Sequence, residues 1–178
     1  MLAVKKGSGW NITPNPMLEL LLDHAISIYG DVVCAGAVME DPQPVSINEL
    51  YSTFHGKKVL TKPGEAYRDQ LARVVAQSIH DWKRAHRLVY QEGGGAILLV
   101  ALYFETIRNG SWKPNGVTEK GGHQNPHKKQ DSANYIKIIE DAVARGCGID
   151  DCNNLTHLIL KAEDKLRPRT ELIYIVHP

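Results

Sequence analysis

Acidic and basic side chains between residues 131 and 151 have the composition of a site for phosphate chemistry. Asp131, Lys137 and Asp141 fall within one helical pattern, and the adjacent acids Asp150 and Asp151 follow shortly after it. A hard divalent cation such as Mg²⁺ takes a few carboxylate oxygens and completes its shell with water and substrate phosphate. Asp131 and Asp151 would supply those oxygens if the helix passes beneath the following strand. Lys137, on the same helix, would neutralise charge developing on a phosphodiester.

Structural roles for these acids stay open beside the chemical one. Asp131 stands where a helix begins, and a carboxylate there caps backbone N–H groups and complements the helix macrodipole. Asp150 and Asp151 precede a predicted strand, where paired acids are typical of a solvated turn. Residue types and spacing therefore predict either a cation site or ordinary surface acids.

A basic loop precedes this cluster. Residues 108–130 carry five basic side chains against one acid, a net charge of +4: Arg108, Lys113, Lys120, Lys128 and Lys129, with Glu119. The whole chain has a formal net charge of only +1, because residues 1–45 hold an acidic excess. A basic loop suits a phosphate backbone, and a solvated surface loop is the alternative interpretation. The near-neutral total therefore does not exclude a polyanionic partner.

A zinc site is a weaker alternative. His123 and His127 lie in the loop, and Cys147 and Cys152 follow the predicted helix. Two adjacent acids interrupt the cysteine pair, and Pro126 breaks any helix through the histidines, so the spacing does not match a structural zinc site.

The composition places the chain among ordinary globular proteins. It has 178 residues, 43% hydrophobic and 23% charged, which suits one domain with an extension and excludes wholesale disorder. The longest apolar run, residues 96–104, is too short to cross a membrane, and residues 1–9 do not have the pattern of a signal peptide. We therefore expect a cytoplasmic protein whose three cysteines are reduced thiols.

Hydrophobic periodicity predicts the elements that must position the cluster. Helices are predicted at residues 17–29, from residue 63 or 64 to about 87, and from 131 or 132 to about 145. Strands are predicted at 31–39, 96–107, 155–161 and 170–176, with an irregular or hairpin stretch at 46–61. The third helix packs through Ile136, Ile139, Ala142 and Val143, which leaves Lys137 and Asp141 on its opposite face. This order predicts an α+β fold, a sheet with helices packed on it.

Four stretches, in order, make the chain resemble the RusA family of Holliday-junction resolvases. PVSINELY (44–51) is similar to the family's Pro-x-Ser-x-Asn-x-x-Tyr motif, and GEAYRDQLARVV (64–75) to its first core helix. DSANYIKIIEDAV (131–143) resembles its Asp-x-Asp-Asn-x-x-Lys-x-x-x-Asp helix, and GIDDCNN (148–154) its Asp-Asp turn. The resemblance covers residues 32–178 and leaves residues 1–31 as an N-terminal extension with one helix.

This resemblance implies a RusA-like small mixed β-sheet, a homodimer without a membrane partner, and a Mg²⁺-dependent endodeoxyribonuclease that also accepts Mn²⁺. It would resolve four-way DNA junctions in recombination and repair. The resemblance makes Asp131, Asp151 and Lys137 catalytic, and it adds Asp150 to Asp131 and Asp151 as metal ligands. Branched DNA would be held by basic residues of the hairpin and the loop: Lys57, Lys58, Arg108, Lys113, Lys120, Lys128 and Lys129.

One position departs from the family pattern. Ala133 stands where the motif has its second acid, and fewer oxygens should weaken cation binding and activation of water. An engineered change, compensation by Asp150 or Glu140, or a cleavage-deficient junction-binding protein of the same fold would each explain it. An interaction domain that uses the helix at 17–29, independent of nucleic acid, is a further interpretation.

Overall fold

Five helices and two sheets make up the part of the chain that the structure describes. The computed structural model describes residues 16–30, 32–40, 47–78, 81–118, 122, 125–126 and 132–178. The helices are α1 (Pro16–Tyr29), α2 (Ile47–Leu50), α3 (Lys62–Ser78), α4 (Trp82–Tyr90) and α5 (Ser132–Cys147). The strands are β1 (Val33–Met39), β2 (Tyr51–Phe54), β3 (Lys57–Leu60), β4 (Gly95–Phe104), β5 (Asn154–Glu163) and β6 (Arg169–His177).

The larger sheet is mixed. Its strands lie in the order β1, β6, β4, β5, with β6 antiparallel to both β1 and β4, and with β4 parallel to β5. Parallel neighbours need a crossover connection, and α5 lies in that connection. A short 3₁₀ turn, Asp151–Asn153, joins the end of α5 to β5. The crossover therefore brings the last turns of α5 close to the start of β5.

Helices cover the two faces of this sheet unequally. Side chains of α3, α4 and α5 pack on one face, which we call the three-helix face, against Leu98, Val100 and Leu102 of β4. The opposite face, the α1 face, is covered among the described residues by α1, against Leu99 of β4 and Ile173 of β6. Because β4 has ten residues without a charge and lies inside the sheet, it is buried on both faces.

Most predicted elements are confirmed. The helix at 17–29 corresponds to α1, the strands to β1, β4, β5 and β6, and the 46–61 stretch to α2 and the hairpin of β2 and β3. Gly30 ends α1 with a positive φ of 70°, and its N–H donates to the Ile26 carbonyl at 2.9 Å. The α+β class with a small mixed sheet is thus the observed architecture.

The prediction of one helix from residue 63 or 64 to about 87 is wrong. α3 ends at Ser78, and α4 begins at Trp82 after an N-cap at Asp81, whose carboxylate accepts the Arg84 N–H at 3.0 Å. Apolar side chains recur through the break, so periodicity alone does not reveal it. A cap satisfies backbone N–H groups that a continuous helix would bond internally.

Two smaller expectations are corrected. β4 ends at Phe104 rather than at residue 107. On α5 the core includes Tyr135 and Ile138, while Ile136 is only half-buried. The helix is rotated slightly from the expected orientation, and Lys137 still faces outward.

All three cysteines lie in the described part of the chain, and none forms a disulfide, as predicted. Among the helices in the described ranges, none combines the length and the apolar character that crossing a bilayer requires.

Candidate functional site

An ion triad on the outer side of α5 is the centre of the candidate site. The Lys137 Nζ lies 3.0 Å from Asp141 Oδ1, one helical turn away, and 2.6 Å from Asp151 Oδ2. The first contact follows from i, i+4 spacing on one helix. The second joins α5 to the turn before β5. The two carboxylate oxygens therefore lie within two hydrogen-bond lengths of each other.

The turn between α5 and β5 aims Asp151 back at the helix. Gly148 takes a positive φ of 65° and its N–H donates to the Ala144 carbonyl at 2.7 Å, which ends α5. Asp150 then caps the 3₁₀ turn, because its Oδ1 accepts the Cys152 N–H at 3.2 Å. The Asp150 N–H donates to the Tyr90 hydroxyl at 3.0 Å, which ties the turn to the end of α4.

An open cleft of about 470 Å³ lies beside the triad. Its lining joins the end of α4, one side of α5 and the turn: Tyr90, Asp141, Ala144, Gly148, Asp150 and Asp151. Three carboxylates line the cleft, and the adjoining Lys137 neutralises only one of their charges. Its volume falls in the range of sites for small molecules. The cleft is thus a small electronegative site open to solvent.

The charges of Lys137 and Asp151 are fixed at neutral pH. Hydrogen bonds from Lys137 hold the pKa of the Asp151 carboxyl below its usual value. Hydrogen bonds to Asp151 and Asp141 raise the pKa of the Lys137 ammonium above its usual value. Because each partner stabilises the charged form of the other, neither group exchanges protons near pH 7. The pair therefore supplies fixed charge rather than acid or base catalysis.

The nearby thiol is not activated. Cys152 is exposed, and its hydrogen bond with Asp150 raises the pKa of the thiol. A raised pKa lowers the fraction of thiolate, which is the nucleophilic form. Cys152 is therefore not a nucleophile of this site.

The β2–β3 hairpin borders the triad. Burial and the negative charge of Asp141 raise the pKa of the Tyr51 hydroxyl on β2. The Lys58 Nζ of β3 lies 5.2 Å from the centroid of the Tyr51 ring. The hairpin thus places a positive side chain over the Tyr51 ring.

The structure brings together several of the predicted site residues. Lys137 and Asp151 are in contact, and Asp150 lines the same cleft. Lys57 and Lys58 lie on β3, while Arg108 and Lys113 lie in the described part of the loop after β4. Several predicted residues fall outside the described residues: Asp131, Lys120, Lys128 and Lys129, and the histidines of the zinc alternative, His123 and His127. Ala133 falls in the first turn of α5.

Sequence reasoning gave no ligand role to Asp141 and overlooked Tyr90 and Tyr51. Asp141 had a usable signal, because its i, i+4 spacing from Lys137 predicts an ion pair. Tyr90 had none, since its hydrogen bond to the Asp150 backbone joins positions 60 residues apart.

The arrangement of the possible donor side chains limits which metal ions the site can hold. Within the described ranges, no three His, Cys, Asp or Glu side chains are arranged as a cage for a metal ion. A closed zinc-type site is therefore not formed by these residues. Mg²⁺ has a different requirement, because it keeps several waters and is usually held through one or two carboxylates. The carboxylates of the cleft fit a hydrated ion of that kind.

Comparisons with known proteins give little likeness. No family model matches the chain, and no curated protein matches it. Two solved structures that resemble it are 2C-methyl-D-erythritol 2,4-cyclodiphosphate synthases. One, in a form with bound CDP, has a TM-score of 0.27 and 10% identity, covering 82% of this chain and 98% of that chain. The other, from Plasmodium vivax, has a TM-score of 0.25 and 11% identity, covering 82% and 96%. Likeness of this size carries no argument about activity.

These findings correct the resemblance drawn from the motifs. Membership of the RusA family is wrong: no model of that or any other family matches the chain, and no curated protein matches it. The predicted resolution of Holliday junctions, the cleavage-deficient junction-binding alternative and the assignment of basic residues to DNA are withdrawn with it. The motifs are short, consist of common residues and allow any residue at several positions. They therefore match this chain without a wider similarity to the sequences of the family.

Proposed function

We propose that the cleft beside α5 binds a hydrated divalent cation, Mg²⁺ or Mn²⁺, in an enzyme that acts on a small polar molecule. The observation that carries the proposal is the uncompensated charge of the cleft. Asp141, Asp150 and Asp151 contribute three negative charges, and Lys137 contributes one positive charge. A net charge of this sign in an open cleft raises the local concentration of cations.

The donor atoms support a hard cation. Carboxylate oxygens suit Mg²⁺ and Mn²⁺, whereas a soft ion prefers thiolates, and the pKa values of both nearby thiols are raised, Cys147 by burial and Cys152 by its hydrogen bond with Asp150. Asp150 and Asp151 would hold the ion, with water in the remaining positions. Asp131, the further ligand predicted from the sequence, lies outside the described residues and stays a prediction. When bound, the cation would supply positive charge to an anionic group of the substrate.

Lys137 has a distinct part in this proposal. Its ammonium stays protonated, lies between two carboxylates and is about half exposed on the outer side of α5. It therefore orients Asp141 and Asp151 and offers a second positive charge to a substrate. In the absence of a cation it also limits the repulsion between the two carboxylates.

The volume of the cleft supports a small molecule as the substrate. Tyr90 is 53% exposed at its edge and offers one aromatic face. An aromatic ring beside fixed charges is a common arrangement for binding a metabolite-sized ligand. A cytoplasmic location is part of this proposal and follows from the sequence prediction alone.

Binding of Mn²⁺ tests the proposal directly. Free Mn²⁺ is measured by electron paramagnetic resonance during titration of the full chain, and Mg²⁺ is then added as a competitor. We expect Asp151→Asn and Asp150→Asn each to weaken binding about tenfold or more. Asp23→Asn, on the exposed side of α1, is the matched control and should bind like the wild type.

Lys137→Met tests whether the ammonium competes with the cation for the carboxylates. Removing the ammonium frees Asp141 and Asp151, so Mn²⁺ should bind at least as tightly as in the wild type. Equal binding by the wild type, Asp151→Asn and Asp23→Asn would show that the cleft holds no cation, and the proposal would fail.

A further inference from the structure

Carboxylates make up only part of the lining of the cleft beside α5. Tyr90, Ala144 and Gly148 line the same cleft and carry no charge. A cation held by the carboxylates explains the acidic residues but gives no role to these three. The uncharged part of the lining therefore points to a second part of the ligand, of different chemistry.

The ring of Tyr90 is held in one orientation at the edge of the cleft. The Tyr90 hydroxyl accepts the Asp150 N–H at 3.0 Å, and its ring meets the His86 ring at 61°, with the centroids 5.5 Å apart. The His86 Nε2–H donates in turn to the Cys147 carbonyl at 3.0 Å. Tyr90 is nevertheless 53% exposed. A ligand that stacks on this ring would therefore immobilise a side chain that is already ordered, which lowers the entropic cost of binding.

The cleft is larger than a hydrated ion requires. Six waters around an ion take up roughly 180 Å³, at about 30 Å³ each. The cleft has a volume of about 470 Å³. Ala144 contributes only a methyl group to its lining, and Gly148 has no side chain. Space for a flat group is thus left beside the Tyr90 ring.

The charges of the cleft favour a phosphate on the same ligand. Three carboxylates and the protonated Lys137 give a net charge that repels an anion, and a divalent cation cancels it. Mg²⁺ held through one or two carboxylates usually takes substrate phosphate into its shell. A phosphate should therefore bind together with the cation, and only weakly without it.

We propose that the cleft binds phosphate esters of a planar unsaturated ring, with the ring against Tyr90 and the phosphate on the cation. This inference rests on the cation site proposed above and adds the class of substrate to it. The fixed, exposed ring of Tyr90 and the small residues beside it carry the inference.

Three phosphate esters test it by isothermal titration calorimetry of the full chain with Mn²⁺: phenyl, cyclohexyl and methyl phosphate. We expect phenyl phosphate to bind about fivefold more tightly than methyl phosphate, and more tightly than cyclohexyl phosphate, because only the phenyl ring has a flat face to stack. With EDTA in place of Mn²⁺, all three should bind about tenfold more weakly or less. Equal binding of the three esters, or binding that EDTA leaves unchanged, would overturn the inference.

Two substitutions of Tyr90 separate its ring from its hydroxyl. Tyr90→Phe and Tyr90→Leu both lose the hydrogen bond with Asp150, but only Tyr90→Phe keeps the ring. Tyr90→Phe should keep the preference for phenyl over cyclohexyl phosphate, and Tyr90→Leu should lose it. A preference that survives in Tyr90→Leu would contradict the proposed contact.

A substitution on α5 tests the space beside the ring while Tyr90 stays intact. Ala144→Leu keeps a residue that favours helix and fills part of the cleft. It should weaken the binding of phenyl phosphate about fivefold and leave that of methyl phosphate unchanged. Equal effects on the two esters would mean that the ring does not lie beside Ala144, against the inference.

Mn²⁺ binding in the absence of an ester separates this inference from the function on which it rests. If the wild type binds no Mn²⁺ in the paramagnetic resonance titration, both proposals fail. If it binds Mn²⁺ but does not distinguish the three esters, only the assignment of the substrate class fails.

Discussion

The two faces of the four-stranded sheet are buried by different means. On the three-helix face, side chains of three helices enclose a continuous apolar core in which Leu98, Leu102 and Ile139 are fully buried. On the α1 face, α1 is the one helix of the described residues that covers the sheet, and several apolar side chains of β4 and β5 are half-buried. Among the described residues the first face is therefore more completely buried than the second. We expect the first face to contribute more to stability.

The two faces of the sheet also differ in whether they bury charged side chains. The buried polar groups of the three-helix face include neutral hydroxyls, such as that of Tyr67, which is hydrogen-bonded to Thr170 at 2.6 Å. At one end of the α1 face, Arg169 donates to Glu171 at 2.8 Å, and both side chains are nearly inaccessible to solvent. The guanidinium also lies 3.7 Å from the Tyr103 ring centroid. A buried guanidinium needs such partners, because an unpaired buried charge is costly.

Removing the more buried of the two carboxylate partners of that guanidinium should have the largest effect. Glu171→Ala is expected to lower the free energy of unfolding by about 3 kcal/mol, the lower end for a broken buried pair, because Arg169 keeps its more exposed partner Asp164 at 2.6 Å. Glu40→Ala, which removes the exposed partner of Arg167, should cost about 0–1 kcal/mol. Urea denaturation of both variants measures the difference. Equal losses would mean that burial does not distinguish the two pairs.

Cavities in the two faces should have unequal costs. Leu102→Ala on the three-helix face is expected to cost about 2–5 kcal/mol, because the surrounding core cannot collapse into the space. Leu160→Ala on the α1 face removes a half-buried side chain and should cost about 1 kcal/mol. Both are measured by denaturation at a protein concentration low enough to favour monomers. If Leu160→Ala cost as much as Leu102→Ala, the α1 face would be as complete as the other.

A close helix contact on the three-helix face gives a third test. A Cβ at Gly146 of α5 would lie 2.5 Å from the Ala72 carbonyl oxygen of α3. Gly146→Ala should therefore cost about 1–3 kcal/mol through displacement of one helix from the other. Gly110→Ala, with no atom within 4 Å of its Cβ position, should change the melting temperature little. A stabilised Gly146→Ala variant would show that the helices separate without cost.

The ion triad should contribute least to stability. Asp151→Asn is expected to cost about 0–1 kcal/mol at neutral pH, because the pair is partly exposed to solvent. The pKa of Asp151 is lower in the folded chain, so its contribution is present above the usual carboxyl pKa and is lost as pH falls through the folded value. The difference between wild type and variant should therefore vanish in strongly acidic urea denaturation series. A difference that persists there would have another cause than the charge of Asp151.

Local patterns were enough to predict most elements. The strand β4 follows from an uninterrupted apolar run, β6 from the apolar run at residues 172–176, and α1 from helical spacing ended by Gly30. The break between α3 and α4 was missed, because a cap at Asp81 interrupts the backbone without interrupting the apolar pattern. The motif resemblance failed for a related reason, since short patterns of common residues carry little information about ancestry.

The site was predictable only in part. Lys137 and Asp141 are neighbours on one helix, so their contact follows from spacing. The approach of Asp151 to Lys137 depends on the positive φ of Gly148 and on the cap made by Asp150. The contact of Tyr90 with that turn depends on how α4 packs beside α5. These last contacts join distant parts of the chain and leave no local signal.

The sequence by itself determined the order of the elements, the apolar faces of the helices and the outward position of Lys137, because these depend on periodicity within a few turns. Only the tertiary structure decided that the sheet is mixed with β4 inside it, that Asp150 and Asp151 line a cleft beside Tyr90, and that α1 is the one helix of the described residues on the α1 face. Each of these depends on packing between distant segments, where the free energy of burying apolar surface outweighs local preference.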